Sequence, residues 1–343
     1  VLYSKQNIKD ELRRITLKKL AIALAAGCIA AIATSPASAQ DYPTRPVTLI
    51  TPAAAGNSPD VATRVVADKL SQMWKQQVVV INRPGAGGLI AAQAAAASSV
   101  EKDGYTLYMT QASTYTVLPI MQEGKMGVDL HTAFTPIGMV GEQPIAVAVY
   151  KDVPANNIAE LIAYAAKQTE PMLFGATNRG GQSHLTGELF RERSKANISF
   201  VHAASASVSV NDLLAGRIPI MFEGLAGLGP ALQSDSVKLL GIASIKRVPN
   251  KPDLPTMSET VPGVVSSGWI VLMAPTGVPK AIIEKINADL RKVVVMPDVV
   301  ERFQALGTYS RDLTPQQTAE FLDSEEKLWW PVVRDVNRAQ GVK

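Results

Sequence analysis

VTLITPAAAGNSPDVATRVVADKL, residues 47–70, decides the fold. Its first five residues form an apolar, β-rich run, the pattern of a strand buried on both faces. From Asp60 onward the apolar residues recur at the spacing of an amphipathic helix. Between the two lie Pro52, Ala53, Ala54, Ala55, Gly56, Asn57 and Ser58, a loop of almost bare backbone. The same construction recurs in MLFGATNRGGQSHLTGELF, residues 172–190. A helix N-terminus leaves amides without intrahelical partners and carries about half a positive charge. Such a turn holds an anion without a lysine or an arginine. Small residues leave the amides unscreened, Gly56 permits unusual dihedrals, and Ser58 and Ser183 can cap the helix or donate to an oxygen. On the pattern alone, each turn is equally an ordinary strand-to-helix connection.

Working outward, strands alternate with helices. Apolar runs at 77–82, 105–110, 146–150, 172–177, 198–203, 218–224 and 238–244 read as strands. Helical periodicity covers 60–74, 157–168 and 183–194, and the Ala-rich stretch 91–99 reads as a helix packed closely on a sheet. This alternation predicts an α/β fold with mostly parallel sheets flanked by helices. KDVPANN (151–157) and VPGVVSSGWIVLMAP (261–275) break the pattern, and two helical blocks follow at 279–295 and 314–336. If that last block packs on the first half, two segments cross between two lobes. The expected division is 42–150 with 268–343 in lobe 1, and 151–267 in lobe 2.

Composition narrows the function. With 47% hydrophobic and 19% charged residues, the 343-residue chain is globular and long enough for two cores. The first 39 residues hold six of the 34 basic and two of the 30 acidic residues, so 28 of each remain. A neutral remainder offers no footprint for nucleic acid. Those 39 residues read as an export signal: a basic stretch, the apolar run Leu20–Ala33, and the small-residue site Ala37-Ser38-Ala39. The run is too short to span a membrane, which takes about 20 residues. Arg13-Arg14 loosely fits a twin-arginine signal, but Thr16 stands where a large apolar residue is usual, and a Sec-type signal cleaved after Ala39 is the reading taken. Cys28, the only cysteine, is an alternative lipid-attachment site, although the residues after it stay apolar. The mature chain would then hold no thiol, and its expected location is the periplasm.

Other chemistry fares worse. INRPGAGGLIA (81–91) fails the dinucleotide pattern at its third glycine and lacks a P-loop lysine, so it reads as a tight turn. No serine sits in a G-x-S-x-G elbow. His131, His184 and His202 are far apart in sequence; His184 lies in an early helical turn, and His202 reads as a core histidine. No cofactor, metal or catalytic residue is expected. Arg179 is a cation in the second loop, Glu223 faces the cleft or caps a turn, and Asp60 is a first-turn residue favoured by the helix dipole. Trp329 and Trp330 fit core packing, and Trp269 either walls the cleft or braces the crossover.

YPTRPVTLITPAAAG, VVVINRPGAGG, DGYTL, TPIGMV, QSHLTGELF, VNDLLAGRIPIMFEG, SIKRVPNKPDLPTMSE and GWIVLMAPTGVP, taken in order, carry a resemblance. They resemble the periplasmic solute-binding proteins of tripartite tricarboxylate transporters, also called the Bordetella uptake gene family, over nearly all of residues 42–343. The resemblance implies a type II periplasmic-binding-protein fold, a two-lobed Venus flytrap. It implies a small organic carboxylate as ligand, probed first among dicarboxylates, and integral membrane transporter subunits as transient partners of a monomer. It places ligand contacts at Ala53, Ala54, Ala55, Gly56, Asn57 and Ser58; at Ser113 and Thr114; at Thr177, Asn178, Arg179, Gly180, Gln182, Ser183 and His184; and at Ala204, Ser205 and Glu223. The sequence departs from the family where ligands are chosen. Ala53–Asn57 replace an aromatic, prolines and paired glycines, and Ala204-Ser205-Ala206-Ser207 replace a P-Y-K-G-like segment, which implies a roomier, more polar pocket.

Two other functions fit less of the sequence. A sensor component would present its ligand-bound form to a signalling partner, and deletion would cost signalling instead of uptake. A secreted hydrolase would turn over an ester or amide, but no nucleophile–base pair near an elbow supports it.

Overall fold

Parallel pairing is what lets the apolar runs dispense with alternation, because helices cover both faces. The computed structural model describes residues 42–97, 101–122, 125–176, 181–203 and 206–339. The expected export segment 1–39 lies outside them, as do Thr177, Asn178, Arg179, Gly180, Ala204 and Ser205 of the expected site. β1 (Val47–Thr51) pairs in parallel with β2 (Val78–Asn82) and β3 (Thr106–Gln111), so Thr51, Asn82 and Gln111 end on one edge. α1 (Ser58–Trp74) and α2 (Leu89–Ala97) make the crossovers. The alanines of α2 let it lie close: Ala91, Ala92 and Ala95 are fully buried in one cluster with Ile50 and Tyr108. The glycine turn before it is tight, as expected, with positive φ at Gly85, Ala86, Gly87 and Gly88. A π-helical stretch, Ser113–Val117, and two single-turn helices, α3 (Leu118–Met121) and α4 (Leu130–Ala133), follow β3.

The chain then enters β4 (Phe134–Tyr150), α5 (Ile158–Ala165), β5 (Met172–Ala176), α6 (Gln182–Ser194), β6 (Ile198–His202), α7 (Ala206–Leu214), β7 (Ile220–Gly224), α8 (Gly229–Leu232) and β8 (Val237–Ile242). It closes with β9 (Ser267–Pro275), α9 (Lys280–Val294), α10 (Pro297–Ala305), β10 (Tyr309–Ser310) and α11 (Pro315–Ala339). β5 pairs in parallel with β6 and β7, so Ala176, His202 and Gly224 end on one edge of a second sheet. β4 belongs to both sheets. From Phe134 to Pro144 it pairs antiparallel with β9, which pairs with β3; from Ile145 it pairs antiparallel with β7, and from Ala146 with β8. The partner change falls at Pro144, which has no amide to donate. Backbone bonds close a ring at this point: Ile145 donates to Ser266, Ser266 to Ala243, and Ala243 to Ile145.

Each sheet has its own apolar core. Tyr108, Phe134, Val271 and Met273 pack in the first, and Val147, Phe174, Phe190 and Phe222 in the second. A further cluster joins α6 to α11, with Leu185 and Leu189 packed on Trp329, Val332, Val333, Val117 and Ile120. Trp269 is buried and braces the first sheet, and Trp329 is core as expected. His202 corrects the reading of a core histidine: it ends β6 exposed, because the residues of β6 after Ile198 are only partly covered. No helix among the described residues is long and apolar enough to cross a membrane.

Both indoles, Trp269 Nε1 at 2.8 Å and Trp329 Nε1 at 3.2 Å, donate to Glu325 Oε2 on α11. Burial pushes the Glu325 carboxyl up to about 7; the two indoles and Arg311 oppose the rise and Glu142 adds to it. Burial, with Asp323 and Asp129 nearby, pushes Glu326 up to about 7 as well. Both bind protons more tightly folded than unfolded, so their contribution is full below about 4.5 and is lost as pH rises through about 7. For Glu325 the loss is on the order of 3 kcal/mol. The melting temperature should therefore fall between pH 5 and 8, and Glu325→Gln should flatten that fall, leaving the share due to Glu326. An equally steep fall in the variant would show that Glu325 does not titrate in this range.

Candidate functional site

The two turns singled out in the sequence lie at the carboxyl edges of the two sheets, where crossover connections leave crevices in α/β folds. At the first, Asn57 caps α1 by accepting from Asp60 N–H at 2.9 Å. Ala53 is buried; its amide donates to Thr51 Oγ1 and its carbonyl accepts from Asn82 Nδ2. The amide of Gly56 donates to Asp60 Oδ2 at 2.8 Å, and that of Asn57 to the carbonyl of Ala54. Among the described residues, the amides of Ala54, Ala55 and Ser58 make no hydrogen bond. Ala54 and Ala55 are exposed, and Gly56 has φ +83 with open space where a Cβ would stand.

Asp60 keeps this loop in shape. Its carboxylate, almost fully buried, accepts from Gly56 N–H, Asn82 Nδ2 at 2.7 Å and Arg64 Nε at 3.1 Å. Burial works to raise its pKa, but these three donors outweigh it and hold the carboxyl below its ordinary value. Ser58 is anchored too: its hydroxyl donates to the Leu306 carbonyl and accepts from Gln143 Nε2, which also reaches Thr308 Oγ1. Asn82, Gln143 and Thr308 were missed in the sequence. Asn82 was visible as the polar end of a strand parallel to β1, whereas Gln143 and Thr308 come from distant segments and left no local signal.

At the second turn, Gly181 precedes α6 and no side chain caps the helix. Among the described residues, the amides of Gln182 and Ser183 carry no hydrogen bond. Ser183 and His184 are buried. Gln182 Nε2 donates to Ser266 Oγ at 2.8 Å, and Ser266 Oγ in turn donates to Thr186 Oγ1 at 2.5 Å, whose own hydrogen goes to the Gln182 carbonyl. The start of α6 is thereby tied to the crossing segment before β9. His184 packs against the Phe200 ring, 4.1 Å between centroids, and so serves the wall of the turn.

Glu223, the penultimate residue of β7, stands at the same edge. Its Oε1 accepts from Gly224 N–H at 2.9 Å, and the Ser183 hydroxyl lies near enough to favour its ionised form. Burial pushes this carboxyl up, and the two donors offset part of the rise. On the first sheet, Ser113 and Thr114 follow β3; Thr114 is buried and donates to the Gly87 carbonyl at 2.9 Å, which pins the glycine turn. A separate groove of about 560 Å³, lined by Arg311, Phe321 and Glu325 among others, shares no residue with this constellation. No group of three His, Cys, Asp or Glu residues among the described ones is placed to hold a metal ion. Removing the Asp60 carboxylate as Asp60→Ala takes the acceptor from one N–H of Asn82 Nδ2, from the Gly56 amide and from Arg64 Nε and should cost about 1–3 kcal/mol, read as a lower urea midpoint at unchanged slope; an unchanged midpoint would show that the loop holds itself.

Comparisons with known proteins bear on what these edges do. The model of the tripartite tricarboxylate transporter family receptor matches residues 62–338. A UPF0065 protein of Bordetella bronchiseptica is 33% identical over 314 residues, 92% of either chain. Among solved structures, Rpa4515 of R. palustris with adipate is 28% identical with a TM-score of 0.70, covering 86% of this chain and 98% of that one. MatC from Rhodopseudomonas palustris with bound malate is 27% identical with a TM-score of 0.67, covering 85% of this chain and all of that one. The architecture is that of a two-lobed periplasmic binding protein, and the chain belongs to the tripartite tricarboxylate transporter receptor family of solute-binding proteins.

Proposed function

We propose that the protein binds a small organic carboxylate, a dicarboxylate in the first instance, in the cleft between two lobes and delivers it to integral membrane transporter subunits. The lobes are the two sheets with their helices, meeting at Pro144–Ile145 and again at Ser266–Ser267. The observation that carries this reading is the pair of uncapped or unspent amide sets, Ala54, Ala55 and Ser58 on one sheet edge and Gln182 and Ser183 on the other. Amides at a helix N-terminus recognise a carboxylate by direction and partial charge, independently of ligand length. Adipate and malate in the similar structures are both carboxylates, which supports the class. Closure of the lobes on the ligand excludes water and strengthens each of these bonds. Residues 1–39 direct the chain to the periplasm and are removed after Ala39, and the protein acts as a monomer.

A thermal-shift panel tests the reading, with C3 to C6 dicarboxylates, hydroxy-tricarboxylates, aromatic carboxylates and the matched amides. A ligand at a hundred times its Kd stabilises the fold by about 2.7 kcal/mol, a shift of several degrees. A carboxylate should shift the transition and its amide should not; silence across all the acids would overturn the assignment. Within the site, Ser58→Pro removes an amide and a hydroxyl at once and should weaken binding more than Arg179→Ala. The reverse order would replace the amide clasp with a charge pair.

A further inference from the structure

The two turns differ in the acid that lies beside them. At α1 the acid is Asp60, which Arg64 neutralises and Asn82 hydrogen-bonds, and which takes the Gly56 amide alone, leaving three donors unspent. At α6 the acid is Glu223, which accepts from the Gly224 amide and has the Ser183 hydroxyl close by; no cationic side chain pairs with it among the described residues. Ser183 is the second residue of α6. A ligand anion set on the α6 amides therefore lies beside the residue whose hydroxyl already acts on the Glu223 carboxyl.

Two further side chains repeat this asymmetry. Gln111, the last residue of β3, buries its Nε2, a donor, without a hydrogen-bond partner among the described residues. Gln182, the first residue of α6, buries its Oε1, an acceptor, likewise without one. The first sheet edge thus leaves only donors over, whereas the second leaves an acceptor beside the open amides of Gln182 and Ser183. A buried polar atom left without a partner is costly, so the ligand that satisfies both edges is favoured over one that satisfies a single edge.

We propose that Glu223 is a specificity-determining residue of the cleft: the ligand carboxylate rests on the amides of Ala54, Ala55 and Ser58, and Glu223 accepts a hydrogen bond from a hydroxyl or ammonium group on the same ligand. The inference rests on the carboxylate reading above and sharpens it to acids that carry a donor. A ligand offering only carboxylates brings negative charge to Glu223 and no hydrogen to share. A ligand with a donor completes the shell that Ser183 and Gly224 begin, and it relieves the cost of burying the carboxyl. Sites built to hydrogen-bond a ligand group discriminate strongly against the analogue that lacks it.

Titration calorimetry on the purified protein separates the possibilities, because succinate, L-malate and L-aspartate differ only in the added hydroxyl or ammonium. The wild-type protein should bind L-malate or L-aspartate at least about tenfold more tightly than succinate. Glu223→Gln removes the negative charge and replaces one of the two acceptor oxygens by a donor at nearly constant shape, and should bring that ratio to within about threefold. Glu223→Ala, checked by its ligand-free melting curve, serves if the glutamine variant does not fold. Equal affinities in the wild type, or an undiminished ratio in a folded variant that still binds, would overturn the role of Glu223. Heat from none of the wider carboxylate panel would instead overturn the carboxylate reading itself.

Discussion

One strand does the work of two, and the rest of the architecture follows from that. β4 carries the hydrogen bonds of the first sheet up to Pro144 and of the second from Ile145. A strand can change partners only where its own amides and carbonyls are accounted for, since a buried backbone group left open costs as much as a lost bond. Proline removes one donor at the changeover, and the ring through Ile145, Ala243 and Ser266 consumes the groups on either side. Three chain segments are thus fastened at one point, with two cores built outward from it. On the proposed reading this ring is the pivot, because both ladders and the crossing segment meet there.

What limits such a rotation is the packing of α6. Leu185 and Leu189 are fully buried against Trp329, Val332 and Val333 of α11 and against Val117 and Ile120. Burying a leucine stabilises by roughly 1.5–3 kcal/mol, so separating this contact is expensive compared with bending a few backbone angles. The polar chain Gln182–Ser266–Thr186 fixes the same helix to the crossing segment. The α6 N-terminus is consequently positioned from both sides, and its uncapped amides stay at the edge of the second sheet. On the first sheet the equivalent task falls to Asp60, Gln143 and Thr308, all polar. The two turns look alike in sequence, yet one is held by a buried carboxylate network and the other by apolar packing.

The apolar runs were legible because parallel strands buried on both faces need no alternation; VTLIT, MLFGA and ISFVH appear as strands where the sequence placed them. The first half of β4 was not. FTPIGMVGEQP carries two prolines and two glycines and reads as a loop, but the ladder absorbs them: its register shifts after Pro136 and again before Gly141. Gly138 has no room for a Cβ against Asn287 and Leu290, and Gly141 has none against the Tyr309 carbonyl. Those glycines answer to tertiary neighbours that no local pattern reveals. α10 was missed for a related reason: nine residues between two longer helices offer little periodicity, and its buried residues are only Val299 and Phe303. In the site, the small residues of the first loop announced free amides, but which amides are free depends on Asp60 and Asn82, brought together only by the parallel pairing of β1 and β2.

On the proposed reading, that dependence lets a cleft built on backbone still choose among ligands. Amides bind any carboxylate, so they set affinity for the class and little else. Discrimination falls to the side chains that the fold leaves half satisfied at the same edges, and their placement follows from strand direction. β7 runs parallel to β5, so Glu223 arrives at the edge where α6 begins. The long reach of β3 likewise brings Gln111 to the edge shared with Thr51. Were β7 antiparallel to β5, the same glutamate would stand at the far end of the sheet, and Ser183 would have no acid beside it. Strand polarity thus fixes the chemistry of each wall before any ligand arrives: donors alone unspent on one, open amides with a carboxyl beside them on the other. If Glu223 acts as proposed, a change there retunes the choice of ligand while leaving the proposed amide anchor in place.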